Sequence, residues 1–458
     1  YLDKMASLQV NASKKNNSCL SCGNLAHAYA ASDNGDKTSQ ISDSRFNIGI
    51  VTAYNDMLSA HQPYADYPEK IKRKARSLGV TAQVASGVPA MCDGVTQGQP
   101  GMEMSLFSRD VIALSASIGL SHNVFDSVIY LGICDKIVPG LAIAAATYGF
   151  LPSIFIPAGP MRSGITNAEK NHVREQYASG LVGKDTLLKT EMQSYHSAGT
   201  CTFYGTANTN QMIIELMGLQ LPGSSFVNPD NSLRDNLTDK AIEFLVDMSS
   251  AENGNTPITA QNIFDIPNFV NAMVGLLSTG GSTNLLLHLV VMARAAGIQI
   301  TWDDFSDLSK VVPLLCRVYP NGESDINEFE AAGGLRVVIS NLLDSGYLFE
   351  EVNTVAGKGL LRYTQKIELD SSNDLIWKTE PVEIFNQNII RPVDEPFQPD
   401  GGIKLMTGNL GRAIVKSSAL KDPDLIFSAP ARVFTDQEQV KKAFNNNELE
   451  CDFICVVK

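Results

Sequence analysis

Hydrophobic positions cluster in two ways along the chain once residue 46 is passed. Short apolar runs occur at "FNIGIVTA", "TAQVAS", "SVIYLGI" and "SIFIPAG". Continuous runs of this length predict strands that are buried on both faces. The longer stretches "EMSLFSRDVIALSASIGLS" and "PGLAIAAATYG" lie between them and predict helices, with Pro139 suited to a first helical turn and Gly149 to a helix end. Alternating strands and helices predict βαβ units and a mostly parallel sheet.

The same pattern divides the chain into three regions. Residues 1–45 are polar and lack a clear period, which predicts an irregular N-terminal arm. Residues 46–375 carry the alternation, including a largely helical stretch from about Asn167 to Gly218, and predict a large α/β domain with helices on both faces of its sheets. Residues 376–458 are predicted to form a β-rich C-terminal domain, because "QKIELDSSNDLIWKTEPVEIF" and "GGIKLMTGNLGRAIVKSSAL" indicate β structure with Gly turns.

Composition and charge exclude some classes of protein. Of the 458 residues, 44% are hydrophobic and 19% are charged, the balance of a globular protein. The net charge of −13 argues against a general nucleic-acid binder but says little about small anionic substrates. No apolar run approaches the roughly 20 residues that span a bilayer, and the first residues lack the apolar segment of a secretory signal. We therefore expect a cytoplasmic protein with no membrane partner.

The eight cysteines are spread thinly, which argues against a disulfide framework in a reducing compartment. Cys19 and Cys22 form a CxxC with His27 nearby, a weak zinc signal that an exposed pair without metal explains better. Three further cysteines lie in apolar runs and are expected in the core: Cys316, Cys451 and Cys455.

Reactive side chains follow the ends of the predicted strands. Cys134, Asp135 and Lys136 come directly after "SVIYLGI", and Asp93 lies in the glycine-rich loop "CDGVTQGQPGM". Ligands of open α/β sheets bind beyond the carboxyl ends of the strands. An unpaired carboxylate and amine are costly there unless something uses them. Taken singly, Cys134 and Cys201 also suit a small core residue, and Asp93 also suits a turn.

Other polar side chains are weaker candidates for a substrate site. Asn55 and His61 follow the first strand, where they either touch substrate or make local loop hydrogen bonds. Ser282, Thr283 and Asn284 precede an apolar helix and could present hydroxyls and N–H groups to an anion.

Two arginines and one histidine complete the candidates. Arg109 and Arg162 could pair with a phosphate, although Arg109 also fits a structural role on its helix. His288 lies on an apolar helix and is expected to be a core histidine with its hydrogen bonds satisfied.

Four stretches resemble the dihydroxy-acid and sugar-acid dehydratase family: "CDGVTQGQPGMEMSLFSRDVIA", "GICDKIVPG", "GTCTFYGTANTNQ" and "STGGSTNLLLHL". The resemblance runs from about Leu20 to Lys458. "TAYNDMLSAHQPY", "SYHSAGTCTFYGTANTNQ" and "MGLQLPGSSFVNP" are similar to its phosphorylated sugar-acid branch rather than its branched-chain amino-acid branch. The resemblance implies a dehydratase of the Entner–Doudoroff pathway. Its expected substrate is 6-phospho-D-gluconate, and its expected products are 2-dehydro-3-deoxy-6-phosphogluconate and water.

The resemblance also implies two metal centres. Cys134 and Cys201 correspond to cysteine ligands of an iron–sulfur cluster, with [4Fe-4S] favoured and [2Fe-2S] the alternative. Asp93 and Asp135 correspond to carboxylate ligands of a divalent cation, usually magnesium. Lys136 corresponds to a lysine that is carbamylated in several relatives and binds that cation. Relatives form homodimers, and the same is expected here.

The sequence departs from the family pattern in two places. Many relatives place a third cluster cysteine after the first strand, where this chain reads "YNDMLSAHQPY". Cys92 is the alternative third ligand and Cys22 a weaker one; otherwise Cys92 is a core thiol or supports the ligands. Relatives also continue past "DFICVVK" to a magnesium-binding Glu and a Ser proposed as the base. The catalytic base is therefore expected beyond the end of this chain, and the barrel-like C-terminal domain is expected to be incomplete.

Competing functions stay open from the sequence. The nearest is a related dehydratase acting on an unphosphorylated sugar acid or on dihydroxyisovalerate. A non-catalytic iron–sulfur protein on the same fold is a second, and the presence of Asp93, Asp135 and Lys136 argues against it. A cluster-free structural protein is a third, and it predicts a colourless protein when prepared without oxygen.

Overall fold

The computed structural model describes most of the chain and forms two compact units. The first unit is Tyr1–Ser418 and the second is Ala419–Lys458. The described residues are 1–12, 20–43, 46–250, 256–420 and 426–458.

A four-stranded parallel sheet organises the first unit. Its strands are β1 (Asn47–Thr52), β2 (Thr81–Gly87), β3 (Ser127–Leu131) and β4 (Ser153–Phe155), in the order β2-β1-β3-β4. Each neighbouring pair is parallel. The chain moves from β1 to one side and then crosses to the other, so the strand order reverses between β1 and β3. All four strands were predicted from their apolar runs. The expectation that each is buried on both faces was wrong for β2, which lies at the edge of the sheet and is only partly buried, with Val84 45% exposed.

Helices surround this sheet and fill most of the remaining first unit. In chain order they are α1 (Leu2–Ala12), α2 (Cys22–Tyr29), α3 (Asn34–Asp43), α4 (Tyr67–Ser77), α5 (Asp93–Thr96), α6 (Ser105–Leu120), α7 (Ile137–Thr147), α8 (Asn167–Ala178), α9 (Lys184–Ser194), α10 (Thr206–Leu216), α11 (Ser232–Ser249), α12 (Ala260–Ile263), α13 (Ile266–Ser278), α14 (Leu285–Ala295), α15 (Trp302–Ser309), α16 (Ile326–Ala331) and α17 (Gly334–Asp344).

The core lies between the sheet and these helices. Ile50 of β1 and Ile129 of β3 are fully buried, as their continuous apolar runs predict. Helix α6 packs against both β2 and α7. The α6–α7 crossing is close because α7 carries Gly140, where a Cβ atom would lie 2.7 Å from the backbone oxygen of Arg109. A side chain at this position would therefore force the two helices apart.

Short antiparallel pairs follow the helical region. They are β5 (Asn353–Thr354) with β6 (Gly357–Lys358), β7 (Lys366–Leu369) with β8 (Leu375–Lys378), and β9 (Ile403–Gly408) with β10 (Gly411–Lys416). The β7–β8 and β9–β10 hairpins lie in the two stretches for which β structure was predicted. The mixed α/β class with a parallel sheet flanked by helices is thus confirmed.

Among the residues of the second unit that the structure describes, one βαβ arrangement is present. Strand β11 (Ala431–Phe434) pairs in parallel with β12 (Ile454–Val457), and helix α18 (Gln437–Asn445) connects them. The domain boundary near residue 375 and the barrel-like C-terminal domain stay predictions.

Two other expectations from the sequence, the irregular N-terminal arm and the buried C-terminal cysteines, were wrong. The N-terminal arm is helical in α1, α2 and α3 rather than irregular, because tertiary contacts stabilise segments too short to show a period. Met5 is 1% exposed, and the Tyr1 hydroxyl donates to the Ala146 carbonyl oxygen at 2.8 Å. Cys451 and Cys455 are exposed rather than in the core, whereas Cys316 is buried as expected.

Among the described residues, no helix is both long and apolar enough to cross a membrane.

Candidate active site

The candidate site lies at the carboxyl edge of the parallel sheet. Ligands of open α/β sheets bind where the strand order reverses, which here is between β1 and β3. Cys134, Asp135 and Lys136 follow β3, and Cys92 and Asp93 follow β2. Because β2 and β3 lie on either side of β1 and are parallel to it, the loops that follow these two strands lie at the same edge of the sheet, next to the end of β1.

A lysine lies between two carboxylates at the centre of the site. The Lys136 ammonium is 2.5 Å from Asp93 Oδ2 and 3.2 Å from Asp135 Oδ2, although Asp93 is 42 positions before Asp135 in the sequence. The Ser105 hydroxyl, at the start of α6, donates to Asp93 Oδ1 at 2.6 Å. Lys136 is only 6% exposed. One buried cation thus holds both carboxylates at one point.

The ionisation of this group follows from its contacts. Burial opposes charge on Asp93, but hydrogen bonds from Lys136 and Ser105 outweigh it and lower the pKa of Asp93. Burial is also the largest influence on Asp135, and it raises the pKa of that carboxyl. The pKa of Lys136 is raised, because attraction to Asp135 and the hydrogen bond to Asp93 outweigh burial. The centre is therefore electrostatically coupled rather than three independent charges.

Three thiols lie beside this centre. Cys134 makes a hydrogen bond with Cys92, which lowers the pKa of Cys92 to about 6. The same bond, together with burial, raises the pKa of Cys134. Cys201 is within electrostatic range of both Cys92 and Cys134, and burial raises its pKa to about 11. Cys134 adopts φ of 82°, a left-handed backbone that is unusual for a side chain with a Cβ atom and typical of functional loops.

Backbone hydrogen bonds fix the loop that carries Cys201. Thr200 N donates to the Gly159 oxygen at 3.1 Å, and Gly199 N donates to the Ser59 oxygen at 2.8 Å. The loop is thereby tied to the segments that follow β4 and β1. Gly199 has φ of 122°, and a Cβ atom there would lie 2.3 Å from Met161 N. Glycine is thus required for the close approach that brings Cys201 to the sheet edge.

Helix α10 holds both cysteine loops through two buried amides. The Asn210 side chain donates to the carbonyl oxygens of Cys134 and Asp135, at 3.2 and 2.8 Å. The Asn208 side chain donates to the carbonyl oxygens of Cys201 and Phe203, at 2.7 and 2.8 Å. Both asparagines are at most 1% exposed. Neither asparagine was predicted from the sequence; the signal was two polar residues two positions apart in the stretch "GTANTNQ".

We expect Asn210→Leu to lower the free energy of unfolding by about 2 kcal/mol, because two buried carbonyl oxygens lose their donor. Asn236→Leu is the matched control, since Asn236 donates to a single exposed carbonyl oxygen, that of Asn373. Urea unfolding of both variants measures the effect. Equal stability of the two variants would contradict the holding role of Asn210.

His61 supports the Cys134 loop from below. It is fully buried, and its Nε2 lies 2.9 Å from the Ile133 carbonyl oxygen. A carbonyl oxygen only accepts, so Nε2 carries the proton. Within the described residues the buried Nδ1 has no partner. Burial lowers the pKa of His61 to about 4, so the ring is neutral at pH 7.

A buried neutral histidine makes stability depend on pH. The unfolded chain gains a proton at its ordinary pKa of 6.5, whereas folded His61 gains one only near 4. Stability from this residue is therefore present above pH 6.5 and is lost as pH falls toward 4, by about 3 kcal/mol in total. We expect His61→Gln to show a shallower loss in urea unfolding between these pH values. His172→Gln, at an exposed histidine, should retain the full slope.

The weaker substrate candidates have local partners. Asn55 Oδ1 accepts from Met57 N at 2.9 Å, a hydrogen bond within its own loop. The Ser282 hydroxyl lies 2.9 Å from the Thr206 hydroxyl, which also accepts from Asn284 at 2.8 Å. These contacts join the starts of α10 and α14. Thr283 is exposed beside them. Roles in substrate binding for Asn55, His61, Ser282, Thr283 and Asn284 stay predictions.

The remaining candidates lie in three different settings. Arg109 is buried and contacts His288: the distance from Arg109 Nη1 to His288 Nδ1 is 3.5 Å. His288 is buried as expected, and burial is the main cause of its lowered pKa. The charges of Lys136 and Asp93 also shift this pKa, so His288 borders the site. Arg162 is exposed and paired with Asp230 at 2.7 Å. Cys22 is exposed, and Cys19 lies outside the described residues.

The donor chemistry at the sheet edge suits two kinds of metal centre. Two carboxylates already converge on one cation, the Lys136 ammonium, and carboxylate oxygens suit magnesium. Three neighbouring thiols suit iron–sulfur chemistry. Across the described ranges, no group of three or more His, Cys, Asp or Glu side chains is already arranged around a single metal position. The fit to the two centres thus rests on the types of these residues and their proximity, and not on a coordination geometry that is already formed.

Comparison with known proteins identifies the family. The model of the dihydroxy-acid/6-phosphogluconate dehydratase N-terminal domain matches residues 45–363, and that of the C-terminal domain matches residues 388–458. The chain belongs to the dihydroxy-acid/6-phosphogluconate dehydratase family. Members of this family are dehydratases, so the chain is an enzyme of the hydro-lyase class.

Three curated relatives place the chain within that family. A phosphogluconate dehydratase of Rhizobium meliloti (strain 1021) is 52% identical over 100% of this chain and 75% of its own length. One from Escherichia coli (strain K12) is 54% identical over 98% of this chain and 74% of its own length. A dihydroxy-acid dehydratase of Caldanaerobacter subterraneus subsp. tengcongensis is 31% identical over 90% of this chain and 71% of its own length. The chain is thus more similar to the first two.

Proposed function

We propose that this chain dehydrates 6-phosphogluconate to 2-dehydro-3-deoxy-6-phosphogluconate, a step of the Entner–Doudoroff pathway. The identity of 52–54% to two phosphogluconate dehydratases, against 31% to a dihydroxy-acid dehydratase, supports this substrate. The observation that carries the chemistry is the Asp93–Lys136–Asp135 centre beside three thiols at the sheet edge.

The reaction makes two demands on the site. The proton at C2 must leave although it is adjacent to a carboxylate, and the hydroxyl at C3 must depart as water. The resulting enol then becomes the 2-keto product by gaining a proton at C3. Negative charge therefore develops at the carboxylate end, and an oxygen must be protonated or otherwise stabilised as it leaves.

We infer that Asp93 and Asp135, with Lys136, would hold a divalent cation, and that Cys134, Cys201 and Cys92 would hold an iron–sulfur cluster. When bound, these centres would supply Lewis acidity at the substrate carboxylate and at the departing hydroxyl. A carbamate on Lys136 would replace its positive charge with a third anionic ligand.

The chain's own groups prepare the site for this chemistry. The Ser105 hydroxyl orients Asp93, and the Asn210 amide fixes the backbone of Cys134 and Asp135. These contacts keep the reactive side chains in one arrangement before substrate arrives, which avoids reorganisation during the reaction. A barrel-like C-terminal domain and a homodimer, which the family resemblance implies, belong to the same proposal. The cytoplasmic location expected from the sequence belongs to it as well.

The decisive test is turnover of 6-phosphogluconate by protein prepared and assayed without oxygen. We expect the 2-keto-3-deoxy product to form and the activity to disappear on exposure to air. Protein that is brown and loaded with iron but forms no product would contradict the substrate assignment. D-Gluconate and dihydroxyisovalerate, assayed in parallel, distinguish the two related dehydratase activities.

A further inference from the structure

A buried lysine lies beside the Cys201 loop, apart from the carboxylate centre. Lys170 is 5% exposed and belongs to α8. Its ammonium lies 5.3 Å from the ring centroid of Tyr195 and 6.0 Å from that of Tyr319. Within the described ranges, no carboxylate or hydrogen-bond acceptor binds this ammonium. Attraction between a cation and two aromatic faces is weaker than the cost of removing a charge from water.

The charges around Lys170 leave this cost uncompensated. Burial lowers the pKa of Lys170, and the positive charge of Arg174 lowers it further. Glu191 also faces Lys170, but it is occupied by Arg174, whose Nε and Nη2 donate to its two oxygens at 2.6 and 2.9 Å. Lys170 and Arg174 therefore form a positively charged region, in which the one nearby carboxylate, Glu191, is paired with Arg174 and does not bind Lys170.

The walls of this position are fixed. The Asn171 side chain donates to the Tyr319 hydroxyl at 3.3 Å, and Tyr195 N donates to the Glu191 carbonyl oxygen at 2.9 Å. Tyr195 is 41% exposed, so the ammonium lies only one ring below the surface. The Lys170 ammonium is not among the side-chain atoms that are wholly shielded from solvent and lack a partner, so an anion has a route to it from the surface.

Lys170 also has a defined relation to the candidate site. The charges of Lys170 and Asp135 both shift the pKa of Cys201, so Cys201 lies near each of them. The groups whose charge shifts the pKa of Lys170 are Arg174, Glu191 and, when it is ionised, Cys201. None of the three residues of the carboxylate centre is among them. Lys170 is thus adjacent to the thiol side of the site and separated from the carboxylate side.

We propose that Lys170 binds the phosphate group of the substrate, with Arg174 adding to the attraction. This rests on the proposed function, since that substrate carries a carboxylate at one end and a phosphate at the other. The carboxylate end belongs at the Asp93–Lys136–Asp135 centre, which leaves the phosphate for the thiol side. Phosphate supplies the acceptor oxygens and the negative charge that the buried ammonium lacks.

Lys170→Met tests the assignment, because methionine keeps the packing between the tyrosines and removes the charge. We expect KM for 6-phosphogluconate to rise at least tenfold, with the much slower turnover of D-gluconate unchanged. Lys170→Arg should restore most of the affinity. Lys189→Met, an exposed lysine on the neighbouring helix α9, is the matched control and should behave as the wild type.

A binding measurement separates this proposal from the proposed function. Inorganic phosphate should bind the wild type and the Lys189→Met variant in calorimetry, and binding should be lost in Lys170→Met, whether or not the preparation is active. Lys170→Met should also be no less stable than the wild type, because it removes an uncompensated buried charge. Unchanged KM and unchanged phosphate binding, or loss of stability in Lys170→Met with phosphate binding retained, would overturn the proposal. Absence of 6-phosphogluconate turnover in the wild type would overturn the proposed function alone.

Discussion

Replacing Cys134 or Cys201 by serine is expected to remove bound iron and to lower dehydratase turnover on the order of 1000-fold. Thiolates are the ligands that iron–sulfur clusters require, and serine keeps the size of the side chain while losing that chemistry. Iron and acid-labile sulfide content, measured together with the visible absorbance of protein made without oxygen, report the loss independently of activity.

Two further cysteines complete this experiment. Cys455→Ser changes an exposed thiol of the second unit and should keep iron content and turnover at the wild-type level. Cys92→Ser decides the third position. Iron loss as large as that of Cys134→Ser would make Cys92 a ligand, whereas full retention would assign it the role of a hydrogen-bond partner of Cys134. Normal iron content in both Cys134→Ser and Cys201→Ser would refute the cluster assignment.

The second large effect is expected from Lys136→Met. Removing one partner from a buried charge pair costs about 3–5 kcal/mol, and here two carboxylates lose their shared cation. We expect the free energy of unfolding at pH 7 to fall by this amount and turnover to be lost. Chemical unfolding of protein prepared without added metal measures the stability, and the 6-phosphogluconate assay measures the turnover.

The pH dependence of Lys136→Met gives a second signature. The pKa of Asp93 is lowered in the folded protein, so its contribution is present above the ordinary pKa of 3.8 and is lost as pH falls below it. The difference in stability between wild type and variant should therefore shrink below about pH 4. Lys310→Met is the control, since the exposed pair of Lys310 and Asp307 should contribute less than about 1 kcal/mol. A variant as stable as this control would refute the buried-cation account.

The sequence predicted the parallel sheet because its strands form continuous apolar runs, and three of the four are almost entirely buried. Each of the four apolar runs became a strand, and Asp93 and Lys136 were singled out because they follow strand ends. Their convergence could be expected, since neighbouring parallel strands end at one edge. The closeness of Asp93 to Lys136 depends on the strand order β2-β1-β3-β4, which local patterns do not encode.

Other features depended on tertiary contacts and were missed. Asn208 and Asn210 lie on a helix that is buried almost all round, with polar and apolar side chains alike, so hydrophobic periodicity gives no sign of their importance. Lys170 was overlooked because a lysine in a polar helix is normally exposed. The helical arm escaped prediction for a related reason: its partners are distant in sequence, such as Ala146 for Tyr1 and Arg76 for Asp36.

The two amides of α10 have a consequence for local unfolding. Asn208 and Asn210 are on one rigid helix and hold different loops, so neither loop can keep its anchoring if α10 opens. Amide protons in α10 and in both cysteine loops should then exchange with deuterium as one cooperative unit, with a single opening free energy. In such a protein, iron release would follow the opening of a helix that contributes no ligand of its own.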